Sequence, residues 1–103
     1  MTERPPAHLS KAAKQMWNDI TAGYVFDPHH VRLLTTACEA WDRMNQAREL
    51  LASEGVTYVD RFGAPRCHPA VAIERDSRIA FVRTVRELNL DADPQTGRVS
   101  HVA

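Results

Sequence analysis

Asp27-Pro28 constrains this chain more than any other dipeptide in it. Asp caps helix starts, and Pro is pre-organised for the first helical position. The stretch that follows has no breaker until Gly55. It predicts one helix over about 29–53. Leu34, Ala37, Cys38, Trp41, Met44 and Leu51 fall within about 140° of one another at 100° per residue. Arg32, Glu39, Asp42, Arg43, Gln46 and Glu49 fill the other side. Glu39 and Arg43 have the favourable i, i+4 order. So long a helix is unusual in a small domain, and its length predicts packing against partners outside its own protomer.

The rest of the chain is read around that helix. Residues 1–9 are expected to be an extended lead-in, with Arg4, Pro5 and Pro6 among the first six positions. Ser10 is a good N-cap for a short helix over 11–21, in which Ala13, Met16, Trp17 and Ile20 share one face. Gly23 is expected to stop it, and Tyr24-Val25-Phe26 to fold back onto the core. After Gly55, Val56-Thr57-Tyr58-Val59 and Pro65-Arg66-Cys67-His68 flank the turn-like Asp60-Arg61-Phe62-Gly63-Ala64. These read as a small hairpin, about 56–68, leaning on a helix. Pro69 opens a last helix to about Leu88. Ile73, Ala80, Phe81, Val85 and Leu88 lie on one arc, and Arg75, Arg78, Arg83 and Arg86 on the opposite one, spanning roughly 140°. Residues 91–103 lose the pattern and are expected to be a flexible tail. The expected fold class is therefore mainly α: short helix, long helix, small β-hairpin, C-terminal helix. Residues 10–90 form a single domain serving helical oligomerisation, with the two longer helices antiparallel. The expected core is Met16, Trp17, Ile20, Leu34, Cys38, Trp41, Met44, Leu51, Ile73, Phe81, Val85 and Leu88.

Composition narrows the function classes. At 103 residues the chain makes one domain with a marginal core, so oligomerisation is a natural source of extra burial. Thirteen acidic residues balance thirteen basic ones, which gives no polyanion signal from the whole chain. Eleven of the basic thirteen are Arg, with Lys11 and Lys14 the two Lys. Arg suits bidentate contacts with phosphate and carboxylate, although a GC-rich genome gives the same bias. Two Cys do not make a disulfide scaffold. No run approaches the ~18 apolar residues of a membrane span, and the N-terminus lacks the apolar core of a signal peptide. A cytoplasmic protein with reduced thiols is expected.

No enzyme motif stands out: there is no Walker loop, no G-x-S-x-G elbow and no G-x-G-x-x-G turn. No pair of carboxylates is set up as an acid–base couple. His29, His30, Cys38, Cys67 and His68 are potential ligands, but as adjacent pairs on a helix they point about 100° apart. No metal and no cofactor is expected. The four-Arg arc is the candidate DNA-binding surface, because phosphate contacts need cations repeated along one face. Glu74, Asp76 and Glu87 on the same helix are positioned to neutralise it. Lys11 and Lys14 form a second, weaker patch, and Arg98 a tail contact. A helix–turn–helix reading stays open over the first two helices. The second is much longer than a recognition helix and begins Pro-His-His.

The ordered set of features resembles the small terminase subunits of tailed double-stranded-DNA bacteriophages. Pro6-Ala7-His8-Leu9-Ser10 precedes a helix carrying Trp17. Asp27-Pro28 opens a long helix with Cys38 and Trp41 that runs into Leu50-Leu51-Ala52-Ser53-Glu54-Gly55. Gly63, the His68-Pro69 step, a final helix with Phe81, Leu88-Asn89-Leu90 and Arg98 follow. The resemblance spans about residues 5–99. It implies a non-enzymatic DNA-packaging component of the bacterial host cytoplasm. Such a protein recognises viral double-stranded DNA, assembles into a homo-oligomeric ring, and regulates a large subunit that holds the ATPase and nuclease. The alternatives are a small dimeric helix–turn–helix-type DNA-binding regulator, an adaptor without DNA affinity, and a metal nuclease. No family motif maps DNA-binding roles onto named positions, so the Arg arc rests on the helical wheel alone.

Overall fold

Each helix starts where a side chain or a proline satisfies the first turn. The computed structural model describes residues 4–90 and 100–101. Helix α1, Lys11–Gly23, is capped by Ser10, whose Oγ accepts from the Ala13 N–H at 3.0 Å. Helix α2, Pro28–Glu54, follows Asp27, whose N–H donates to His30 Nδ1 at 3.2 Å. Helix α3, Pro69–Leu88, is capped by His68, whose Nδ1 accepts from the Ala70 N–H at 3.0 Å. The mainly helical class expected from the sequence is what the chain adopts.

The helix ends differ in kind. Gly55 closes α2 at φ 84, its N–H bonded to Leu51 O at 2.9 Å. Asn89 closes α3 in the left-handed region at φ 55. Gly23 was expected to stop α1, but it is the last helical residue and has no left-handed φ. The chain leaves α1 by becoming extended at Tyr24. Strand β1, Tyr24–Val25, then pairs antiparallel with β4, Ser100–His101, in the register Tyr24↔His101. The remainder of the expected flexible tail, with Arg98, lies outside the described residues, as do residues 1–3 of the lead-in.

Helices α2 and α3 pack antiparallel along their length. Glu54 at the end of α2 meets His68 at the start of α3 (3.0 Å). Leu88 at the end of α3 is buried with Leu34 and Cys38 near the start of α2. Helix α1 lies on that second end. The core cluster is Leu9, Ala13, Trp17, Leu34, Cys38 and Leu88, with Met16, Ile20, Phe26, Val31, Leu33, Trp41 and Leu90 packed against it. The rest is a two-helix arm. The outline measures 60 × 25 × 18 Å, with a radius of gyration of 17.3 Å. A compact chain of this length has a radius of about 13 Å.

Two expectations about packing are corrected. On α3, Ile73 is 44% exposed and Ala80 is exposed. Phe81, Val85 and Leu88 are covered as expected, and the line of closest approach runs through Ala70, Glu74, Ser77, Phe81, Thr84 and Leu88. Their alternating spacing of four and three is the seam of an antiparallel helix pair, and small residues in it admit close approach. The hairpin does not lean on a helix. Strands β2, Thr57–Val59, and β3, Pro65–Cys67, pair in the register Tyr58↔Arg66, and every residue in both is exposed. The hairpin caps the end of the arm, tied at its base by the His68 N–H to Val56 O bond of 2.8 Å.

The solvent side of α2 is also not free. Ser10 donates from both its N–H (2.8 Å) and its hydroxyl to the Asp42 carboxylate, and His8 Nε2 lies 2.7 Å from Glu39 Oε2. Leu9 between them is buried. The lead-in is therefore strapped to α2 just before α1 begins. No helix of the described residues is long and apolar enough to cross a membrane.

Candidate nucleic-acid interface

The four arginines of α3 share an arc, but the structure divides them. Arg78 Nε is 3.2 Å from Glu74 Oε2, and Arg48 of α2 reaches the same oxygen at 3.1 Å. Glu74 sits in the helix seam with its side chain 16% exposed. Burial alone pushes its pKa up, but the Arg78 and Arg48 hydrogen bonds outweigh it and hold the carboxyl below its ordinary value. Arg78 thus belongs to a clamp between α2 and α3. Arg75 Nε is 3.2 Å from Asp76 Oδ1, with both side chains exposed. Exposed pairs of this kind hold each other weakly, so Arg75 is available to a stronger anion.

Arg83 and Arg86 are exposed and have no carboxylate partner among the described residues. They lie on the last two turns of α3, before Leu88 enters the core. Arg86 in the last turn also complements the negative end of the helix dipole. The arc is not purely basic. Ile79 (40% exposed) and Val82 (49% exposed) stand between the arginines on the wheel. Lys11 is exposed and Lys14 half-buried, on successive turns of α1, and neither is ion-paired among the described residues. The structure therefore leaves Arg83, Arg86, Lys11 and Lys14 as cations open to phosphate, on two different helices.

Sequence reasoning missed several partners. It placed Glu74 only as a neutraliser on its own helix, not as the bridge to Arg48. It placed His29 and His30 too far apart for joint ligation, yet their ring centroids are 4.0 Å apart. With Asp27 they form a group whose potential ligand atoms lie within 4.8 Å of one another. His30 is fully buried, its Nδ1 already accepts the Asp27 N–H, and the positive end of α2 disfavours a cation there. The group is a helix start before it is a metal site. The Cys38 thiol is buried and pushed up to about 11, chiefly by that burial and then by Asp42 and Glu39. That is the wrong direction for a nucleophile.

A helical hairpin with a third helix packed on one end, Arg-biased and with no catalytic group assembled among the described residues, fits many proteins. The family comparison decides among them. The family described as phage terminase, small subunit, matches residues 13–97 of the 103. The chain belongs to the phage terminase small-subunit family. The match runs from the buried Ala13 of α1 past the end of α3, so it takes in α2, α3 and all of α1 but its first two residues. No curated protein and no solved structure matches the chain. The resemblance drawn from the sequence is borne out at the level of the family over residues 13–97, and its first motif, Pro6–Ser10, lies outside that span.

Proposed function

We propose that this chain is the DNA-recognising, non-catalytic subunit of a phage packaging machine. It acts as a homo-oligomeric ring in the host cytoplasm and regulates the large subunit that carries the ATPase and nuclease. The family membership over residues 13–97 carries the reading. Two physical features support it. Away from the arginine arc, the helix pair leaves Leu50 and Ile73 each more than 40% exposed, and neighbouring copies are the economical cover for such positions. The unpaired cations of the two candidate patches are Arg83, Arg86, Lys11 and Lys14 among the described residues, so one protomer grips DNA weakly. Repetition around an assembly multiplies weak phosphate contacts without a new one being made.

The DNA surface in this reading is the α3 arc of Arg75, Arg78, Arg83 and Arg86, with Lys11 and Lys14 of α1 as a second patch. Arg83 and Arg86 carry most of it, since Arg78 is held by Glu74. Light scattering on a sizing column tests the assembly. A discrete particle of many protomers is expected, and a monomer at high concentration overturns the reading. Titration of duplex DNA at several salt concentrations tests the surface. The variant Arg83→Gln/Arg86→Gln is expected to bind more weakly, with a shallower salt dependence. Unchanged affinity in a still-assembled protein removes the arc from the interface.

A further inference from the structure

We propose that the β2–β3 hairpin is a second contact with duplex DNA, in which Phe62 wedges against the base pairs from a groove and Arg61 meets the adjoining phosphate. This rests on the reading that the chain binds DNA, but it uses none of the α3 or α1 cations.

Phe62 is the most exposed of the large apolar residues among those described, at 78%. It sits in the turn of a hairpin that projects beyond the helices. An exposed Phe on a floppy loop carries no argument, but this turn is pinned. Asp60 Oδ1 accepts from the Phe62 N–H at 2.8 Å and the Ala64 N–H at 3.0 Å. Asp60 Oδ2 accepts from Arg66 Nε at 2.9 Å. The Asp60 carbonyl accepts from the Gly63 N–H, and the Asp60 N–H donates to Ala64 O, each at 3.0 Å. Gly63 supplies the left-handed φ of 80 that the turn needs. All five bonds involve Asp60, so the backbone that carries the ring is held in place. Binding then loses little conformational entropy.

The charge at the tip selects the partner. Asp60 is the only carboxylate in the segment 57–67, and Arg66 neutralises it. Arg61 is left as the outward charge, its guanidinium 4.8 Å from the Phe62 ring centroid. A flat ring beside a guanidinium plane offers the two surfaces on which bases stack. An apolar wedge beside a cation is also how minor-groove binders open a base step. The shape agrees. DNA readers built on β-strands place them in the minor groove as well as the major one, and the wedge requires the minor groove. Tyr58 and Val59 are also exposed on the strand, but a protein interface needs a patch of about 800 Å² per partner, and a ribbon of two three-residue strands is too narrow to supply one.

The test uses the full chain, a fluorescent duplex and a duplex carrying 2-aminopurine. Phe62→Ala is expected to weaken binding about tenfold, the scale of one lost stacking contact, with the salt slope unchanged. Phe62→Trp is expected to restore it. Arg61→Gln is expected to flatten the salt slope by about one for each tip engaged. Wild type, but not Phe62→Ala, is expected to raise 2-aminopurine emission on unstacking. If wild type binds and Phe62→Ala binds equally well, the hairpin contact is overturned and the α3 reading stands. If Phe62→Ala breaks the assembly in light scattering, the tip seats on another copy and the DNA contact is overturned. If wild type binds no duplex at low salt, both readings fall together.

Discussion

Trp17 and the two thiols carry the sharpest consequences of single side chains. Trp17 is 1% exposed at the centre of the three-helix end. Trp17→Ala is expected to cost about 3–5 kcal/mol in denaturant unfolding, the range for truncating a buried aromatic. That is a large part of what a domain this size has. The thiols differ in access and in chemistry. Cys38 is enclosed and held as the neutral thiol far above neutral pH, while Cys67 is exposed. One thiol per native chain is expected to react with a maleimide, and the second only after unfolding. Cys67→Ser should leave no fast reaction. The placement of Trp17 and Cys38 was legible, because both sit on apolar stripes at helical spacing. His30 carries the same signal, standing four, seven and eleven residues before Leu34, Ala37 and Trp41 at the centre of the stripe. Its partners were not legible: the tilted approach of Phe26, 5.9 Å between ring centroids, and the Asp27 N–H it accepts.

At the scale of elements, starts were readable and faces less so. Caps act within about three residues, so Ser10, Asp27-Pro28 and His68-Pro69 announce their helices from local sequence. His68 illustrates how one residue joins three elements. Its Nδ1 caps α3, its Nε2 meets Glu54 of α2, and its N–H closes the hairpin on Val56. His68→Ala is expected to lower stability by about 1 kcal/mol from the cap, with the loss of the Glu54 bond added. His68→Asn restores a capping acceptor and is expected to recover most of that loss in thermal unfolding. On α3 the expected Phe81, Val85 and Leu88 are covered and Ile73 is not, because apolar residues lie on both sides of the helix. Ile73, Ile79 and Val82 are as hydrophobic as Phe81, yet the seam follows Ser77, Thr84 and Ala70. Packing against α2 selects small residues there.

At the scale of the whole molecule, a long arm is held by few bonds. The Arg48–Glu74–Arg78 clamp ties α2 to α3 between the hairpin and the core. Glu74 in the folded chain titrates below its ordinary value of 4.5, so the unfolded chain binds its proton more readily. Its contribution to stability is present in full above 4.5 and is lost as pH falls through the lower, folded value. Glu74→Gln is expected to have a lower denaturation midpoint at neutral pH and a smaller further decline on acidification. Midpoints for the two proteins taken across that range check the prediction. Equal acid sensitivity would show that the clamp contributes nothing.

What could be read from residue order was whatever acts locally: three helices, their boundaries within a few residues, one hairpin, and the ordered caps and breakers that resemble the small-subunit family. The tertiary arrangement decided the rest. It set which arginines are free, since Glu74 takes Arg78 only because α2 brings Arg48 alongside. It turned Glu39 and Asp42 from a solvent face into the anchor of the lead-in. It also left the hairpin clear of the helices, with Phe62 at its tip. Each of these depends on which residues meet across tens of positions, and that register is settled by the packing of the helix pair as a whole.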